Sequence, residues 1–213
     1  MTITLAALFS HASIAFTSVA GSTPDYDLAF QNIKPTVLIA SAETMSKAHA
    51  QKTAANQGFF QKLHHSRHAR SLAAGTMRKA NSLANRLGPR IIYTSERAGT
   101  DSVPLSSFDL LDLRVLTGAR IIYALTLPRV AGAVTQTNLL DYRTDSRGNR
   151  SHLGAPLSSV ELKLVETPLV KIHDDSHGNH GGAIVVNGPA VVGGEVKTDI
   201  VGKPRDDHCL ALE

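Results

Sequence analysis

Thr36-Val37-Leu38-Ile39-Ala40 is a run of aliphatic and β-branched residues without polar alternation, entered through Pro35. Such a run reads as a strand buried on both faces, the pattern of a parallel sheet, and parallel strands need crossover connections. The residues after it supply them. From Ser41 to about Ala84 the chain is rich in Ala, Lys, Gln and Leu at helical spacing, broken near Gly58 and Gly75, which predicts two or three helices. Ile91-Ile92-Tyr93 and Ile121-Ile122-Tyr123 then bracket a polar loop at Gly99–Pro104 and an apolar stretch from Leu110 to Gly118. Strands alternating with helices predict an α/β layer.

Beyond Leu153 the texture changes. Val160, Leu162 and Leu164 alternate with Glu161 and Lys163, and Ala183-Ile184-Val185-Val186 follows a glycine-rich turn. This is the pattern of short antiparallel strands with one wet face. The polar stretch Tyr142 to Ser151 marks the change, giving an α/β subdomain over 1–149 and a β-rich subdomain over 150–213.

Upstream of the first strand, residues 1–21 are apolar but contain no Lys or Arg; the first is Lys34. A secretory signal needs a positive start and an unbroken apolar core, and here His11 and Ser13 interrupt it. The segment is expected to be a buried helix or strand, followed by a turn at 21–25 and a short helix over Tyr26–Asn32. No run reaches the ~18 apolar residues of a membrane span. The net charge of +4 gathers between Lys62 and Arg90 without interleaved aromatics, which argues against nucleic acid. Cys209 is the only cysteine, so no disulfide framework exists and the expected setting is intracellular, cytoplasmic or organelle-associated.

Local chemistry is sparse. His64 and His68 share a helical face at i, i+4, but His65 stands where a metalloprotease pattern places its glutamate, and a solvated basic face is the better reading. His173-Asp174-Asp175-Ser176-His177-Gly178-Asn179-His180 could ligate a cation, yet its strand-like flanks make it a hairpin connection. Cys209 carries no signature of an activated thiol. No G-x-S-x-G elbow, Walker A loop or G-x-G-x-x-G turn is present. No catalytic residue and no metal ligand is assigned.

The order of several motifs says more. Lys34-Pro35-Thr36-Val37-Leu38 resembles the strand entry of adenylate-forming enzymes, the acyl-CoA synthetase and luciferase superfamily. Leu113-Arg114-Val115-Leu116-Thr117-Gly118-Ala119 is similar to the strand and turn that face the adenine in that family. Gly154-Ala155-Pro156-Leu157-Ser158-Ser159-Val160-Glu161-Leu162-Lys163-Leu164-Val165 resembles the segment that opens its small β-barrel subdomain, and residues 182–194 resemble the glycine-proline strand that follows. Gln136–Arg143 points to the fungal-type long-chain fatty acyl-CoA synthetase branch.

The resemblance implies a partial AMP-binding domain: part of a layered α/β N-terminal domain followed by a barrel-like subdomain. It implies ATP or AMP with Mg²⁺ as cofactor, coenzyme A as acceptor, and a carboxylate, a fatty acid in this branch, as substrate. The acid would be activated as an acyl-adenylate and passed to the thiol. Gly118, Ala119, Gln136, Thr137, Asn138 and Asp199 are the residues it places around the nucleotide. The aromatic-glycine-x-Thr-Glu motif corresponds to Gly132–Asn138, without a carboxylate. Thr198-Asp199 echoes the ribose-binding aspartate motif, with a turn aspartate as the alternative. A phosphate loop and a lid domain are not found in the sequence, so the expectation is an internal fragment that is not catalytically competent alone. The alternative is a noncatalytic interaction module or pseudoenzyme, self-associating through an exposed sheet edge.

Overall fold

A computed structural model describes residues 2–16, 33–55, 59–75, 89–100, 103–144, 150–166 and 181–212. A five-stranded sheet in the order β1-β2-β3-β4-β5 is made by β1 (Val37–Ser41), β2 (Ile91–Arg97), β3 (Arg120–Thr126), β4 (Ala133–Gln136) and β5 (Ala155–Pro156). The first three pair in parallel, Leu38 beside Ile92 and Ile92 beside Ile121; β4 and β5 join antiparallel. A second, wholly antiparallel sheet follows: β6 (Glu161–Val165), β7 (Gly182–Asn187), β8 (Glu195–Pro204) and β9 (Leu210–Leu212). The mixed α/β class and the antiparallel half therefore stand as read from the sequence. The passage between sheets falls between Pro156 and Glu161, and residues 155–156 belong to the first.

The helices are set by local chemistry. α1 spans Thr2–Phe9, α2 Ala42–Ala55, α3 Phe59–Ala73 and α4 Ser107–Thr117. α2 starts directly behind β1, where the Ser41 hydroxyl accepts the Thr44 N–H at 3.2 Å and Glu43 lies in the positive first turn. Its Ala42, Met45 and Ala48 face inward at helical spacing. α4 opens with a complete capping box: Asp109 N–H donates to the Ser106 hydroxyl at 3.0 Å, and Ser106 N–H donates back to Asp109 Oδ2 at 3.0 Å. It ends on Gly118 in the left-handed region at φ 66°, whose N–H donates to Arg114 O.

One core joins both sheets. Ile92, Ile121, Tyr123 and Leu125 of the first pack into the same cluster as Ile184, Val186, Val196 and Leu210 of the second, with Leu105, Leu113 and Leu153 between them. Each such aliphatic side chain contributes about 1.5–3 kcal/mol by leaving water. The main chain fastens the halves: Leu153 N–H donates to Leu210 O at 2.7 Å, and Leu210 N–H returns to Gly154 O at 2.8 Å. A bridge pairs Val130 with Val191, and Arg129 Nη2 donates to Val192 O at 2.9 Å.

Three expectations change. β1 is not buried on both faces: Val37 is 50% and Ile39 51% exposed, because among the described residues β1 is the sheet edge and nothing covers that face of it. Residues 2–9 do form a helix, but Leu8 and Phe9 are exposed rather than buried. Leu113–Ala119 is the end of a helix and its cap, not a strand and turn; the capping box and the inward Leu110, Leu111 and Leu113 impose helical periodicity there. The helix over Tyr26–Asn32 and the hairpin connection His173–His180 lie outside the described residues, as do the side chains of His64 and His65.

Candidate functional site

The alternation of β2 turns Ile92, Thr94 and Glu96 to the inner face, so a carboxylate enters the core two positions beyond a threonine. Register puts Tyr123 beside Thr94, on the same face. The Tyr123 hydroxyl donates to Glu96 Oε2 and accepts the Leu105 N–H at 3.3 Å, while Arg150 Nη2 lies 3.1 Å from Glu96 Oε1. Burial first, and the neighbouring Glu96 carboxylate second, push the Tyr123 phenol well above its ordinary range, so it stays a donor. Around this triad the Thr94 and Thr135 hydroxyls and Arg150 Nε find no partner among the described residues. Buried polar groups of that kind are places where a bridging water fits.

A second polar cluster joins the loop after β4 to the chain's last turn. Asp141 accepts Arg143 Nε at 2.9 Å and Nη2 at 2.6 Å, and Arg143 Nη1 donates to Asp207. His152, buried, accepts the Gly154 N–H on Nδ1 at 3.3 Å, which leaves Nε2 to donate to Asp141 Oδ2 at 3.3 Å. Burial holds the imidazole below its ordinary value and therefore neutral, with Asp141 opposing and Arg143 assisting. Burial pulls both carboxyls upward, but hydrogen bonds win: Arg143 draws Asp141 below the usual range, and the Cys209 N–H with Arg143 holds Asp207 at about 2. The Cys209 thiol, 3.6 Å from Arg143 Nη2, is pushed up, chiefly by burial. The carboxylate beside the thiol, Asp207, is too weak a base to activate it, and a protonated thiol is a poor nucleophile. Next to the cluster lies a cleft of ≈ 360 Å³ lined by Ala73, Gly75, Asn138 and Leu140 to Arg143.

The six residues that the resemblance assigns to a nucleotide are not gathered into one cradle. Gly118 and Ala119 sit at the N-terminal end of β3, opposite to the carboxyl ends where open α/β sheets hold ligands, and Ala119 is fully buried. Thr137 is spent on Tyr123: its N–H donates to Tyr123 O at 2.8 Å and its hydroxyl accepts the Tyr123 N–H at 2.9 Å. Asn138 Oδ1 accepts the Leu140 N–H at 2.9 Å in a local turn. Gln136, half-buried, pairs with Ala124 and Ala155. Asp199 is exposed, within strand β8 of the other sheet rather than in a turn. Among the described residues no three His, Cys, Asp or Glu side chains come together.

Sequence reading missed Glu96, Arg150 and the Asp141-Arg143-Asp207 network. A charged residue at an inward position of an otherwise apolar strand is a signal for the first. The second depends on contacts between residues far apart in the chain, which no spacing reveals.

No family model matches the sequence, and no curated protein matches it either. Solved structures do. Unliganded o-succinylbenzoate coenzyme A synthetase from Bacillus subtilis superposes with TM-score 0.59 at 13% identity, over 99% of this chain and 39% of that one. The fold is that of adenylate-forming CoA ligases. An anthranilate CoA ligase complexed with anthranoyl-AMP gives TM-score 0.57 at 13% identity, over 94% of this chain and 34% of the other. A benzoate CoA ligase from Burkholderia xenovorans gives 0.55 at 10%, over 91% and 34%. The chain thus has the architecture of part of the N-terminal domain of these enzymes and spans well under half their length. No helix of the described residues is long and apolar enough to cross a membrane.

Proposed function

We propose that this chain is an acyl-CoA synthetase-like piece of an adenylate-forming ligase, in which a carboxylate is activated by ATP as an acyl-adenylate and transferred to a thiol. The observation that carries the reading is the superposition over 99% of the chain on a CoA synthetase, joined to family-like motifs in family order. The B. subtilis synthetase is known with AMP and with ATP and magnesium, which supports a nucleotide as the ligand class. Coenzyme A as acceptor follows from the resemblance to the superfamily, and a fatty acid as substrate with the fungal-type branch from the Gln136–Arg143 segment; all are part of the proposal. So are the division at residue 149 and an intracellular setting.

In this reading the described residues provide platform rather than chemistry. β2 and β3 hold Glu96, Tyr123 and Arg150 in a closed triad, and the capped α4 fixes the sheet from behind. Titration of the chain with AMP and with a non-hydrolysable acyl-adenylate analogue tests it, read by calorimetry and by melting temperature. Saturable binding with a rise in melting temperature supports the reading. Binding of neither ligand at millimolar concentration removes it for this chain.

The exposed Val37 and Ile39 on edge strand β1 favour one second reading, a noncatalytic module that self-associates. Sedimentation that depends on protein concentration, unaffected by nucleotide, would support it; a monomer at all concentrations would not.

A further inference from the structure

We propose that His49 is a proton-operated clasp that holds α2 onto α4. The imidazole lies between two carboxylates of one helix: Nδ1 is 3.3 Å from Asp109 Oδ1 and Nε2 is 3.3 Å from Asp112 Oδ2. Neutral histidine carries a single N–H, so one of these contacts would set a lone pair against a carboxylate oxygen. Only the imidazolium, with Nε2 hydrogen-bonded to Asp112 and Nδ1 at ion-pair distance from Asp109, is attracted to both carboxylates. Asp109 is at the same time the capping residue of α4, its other oxygen taking the Ser106 N–H at 3.0 Å and the Ser106 hydroxyl at 2.7 Å. The proton on His49 is therefore linked to the start of α4 as well as to the docking of α2.

Among the described residues these two carboxylates are the charged groups in contact with His49. On α2 the other described charged side chains, Glu43 and Lys47, pair with each other at 2.7 Å. β2, under α2, brings Glu96, which is held by Tyr123 and Arg150, and the exposed Arg97. α3, packed on α4, carries Arg67, His68 and Arg70. The hydrogen bond to Asp112 raises the His49 value; burial opposes it, and the charges of Asp109 and Asp112 add to the rise. A folded value above the unfolded one means that the clasp is complete below the ordinary ~6.5 and is lost as pH climbs through the raised value. α2 covers the sheet with Ala42, Met45 and Ala48, so release of the clasp loosens the cover of the β1–β2 face.

Thermal unfolding of the full chain at pH 6 and pH 8.5 tests this, for the unaltered protein, His49→Gln and Asp112→Asn. The unaltered protein is expected to gain more stability on going to pH 6 than either variant, by about 2–4 °C for a chain of this size. His152, buried and neutral, acts in the opposite direction in all three proteins and cancels in the comparison. An unchanged pH difference in His49→Gln overturns the proposal. Should the variants not fold, NMR titration of the His49 ring in the unaltered protein decides. A midpoint above 6.5, with α2 amide shifts following it, supports the clasp; a midpoint at or below 6.5, or α2 amides that ignore it, overturns it.

Discussion

A Cβ added to Gly154 would stand 1.9 Å from the carbonyl oxygen of Gln136 and 2.5 Å from the Thr137 nitrogen. Both are main-chain atoms, so neither can swing away, and Gly154 has φ +76°, where side chains are strained in any case. Gly154 also lends its carbonyl to Leu210 N–H, tying the first sheet to the last strand. Gly154→Ala is expected to lower stability by about 3 kcal/mol or more. Urea unfolding followed by circular dichroism measures it, and a loss below 1 kcal/mol would show that the strand can retreat without cost.

The layout of the fold is readable in the chain because it follows from local pattern. Ile91–Tyr93 and Ile121–Tyr123 announce parallel strands, and Leu162 and Leu164 alternate with Glu161 and Lys163 as an antiparallel strand with one wet face should. Periodicity does not say what lies over a face. Val37 and Ile39 read as buried on composition, yet they stand at a sheet edge. The candidate site was less legible still. Resemblance drew attention to Thr137 and Asn138, whose side-chain oxygens accept the N–H groups of Tyr123 and Leu140. The residues with unusual electrostatics, Glu96 with Arg150 and Asp141 with Asp207, meet only after folding.

Glu96 and Arg150 form an ion pair in which the carboxylate is almost wholly buried, with 5% of its side chain exposed against 28% for the arginine. Removing one partner leaves the other charge without compensation, which costs more than the pair is worth. Glu96→Gln is expected to destabilise by about 2–4 kcal/mol, and Glu96→Gln with Arg150→Met by less than the sum of the two single changes. A double-mutant cycle in urea provides the coupling. Additive losses would mean that the arginine draws its support from solvent and not from Glu96.

Asp207 contributes to the acid limb of the stability profile. Its folded carboxyl titrates at about 2 because the Cys209 N–H and Arg143 favour the charged form over the pull of burial. An unfolded carboxyl titrates near 3.9. A depressed folded value gives stability that is present above the unfolded one and is lost as pH falls from about 4 toward 2. Asp207 is partly exposed, so solvent screens the contribution and only its direction is carried forward. Asp207→Asn should be less stable than the unaltered chain at pH 7, and the gap should narrow steadily below pH 4. Asp141 shares Arg143 with Asp207, so the difference between the two profiles reads Asp207 together with its effect on Asp141. Unfolding free energies taken at half-unit steps between pH 2 and pH 7 supply the test: a gap that is constant across that range would show that the contribution of Asp207 does not come from its charge.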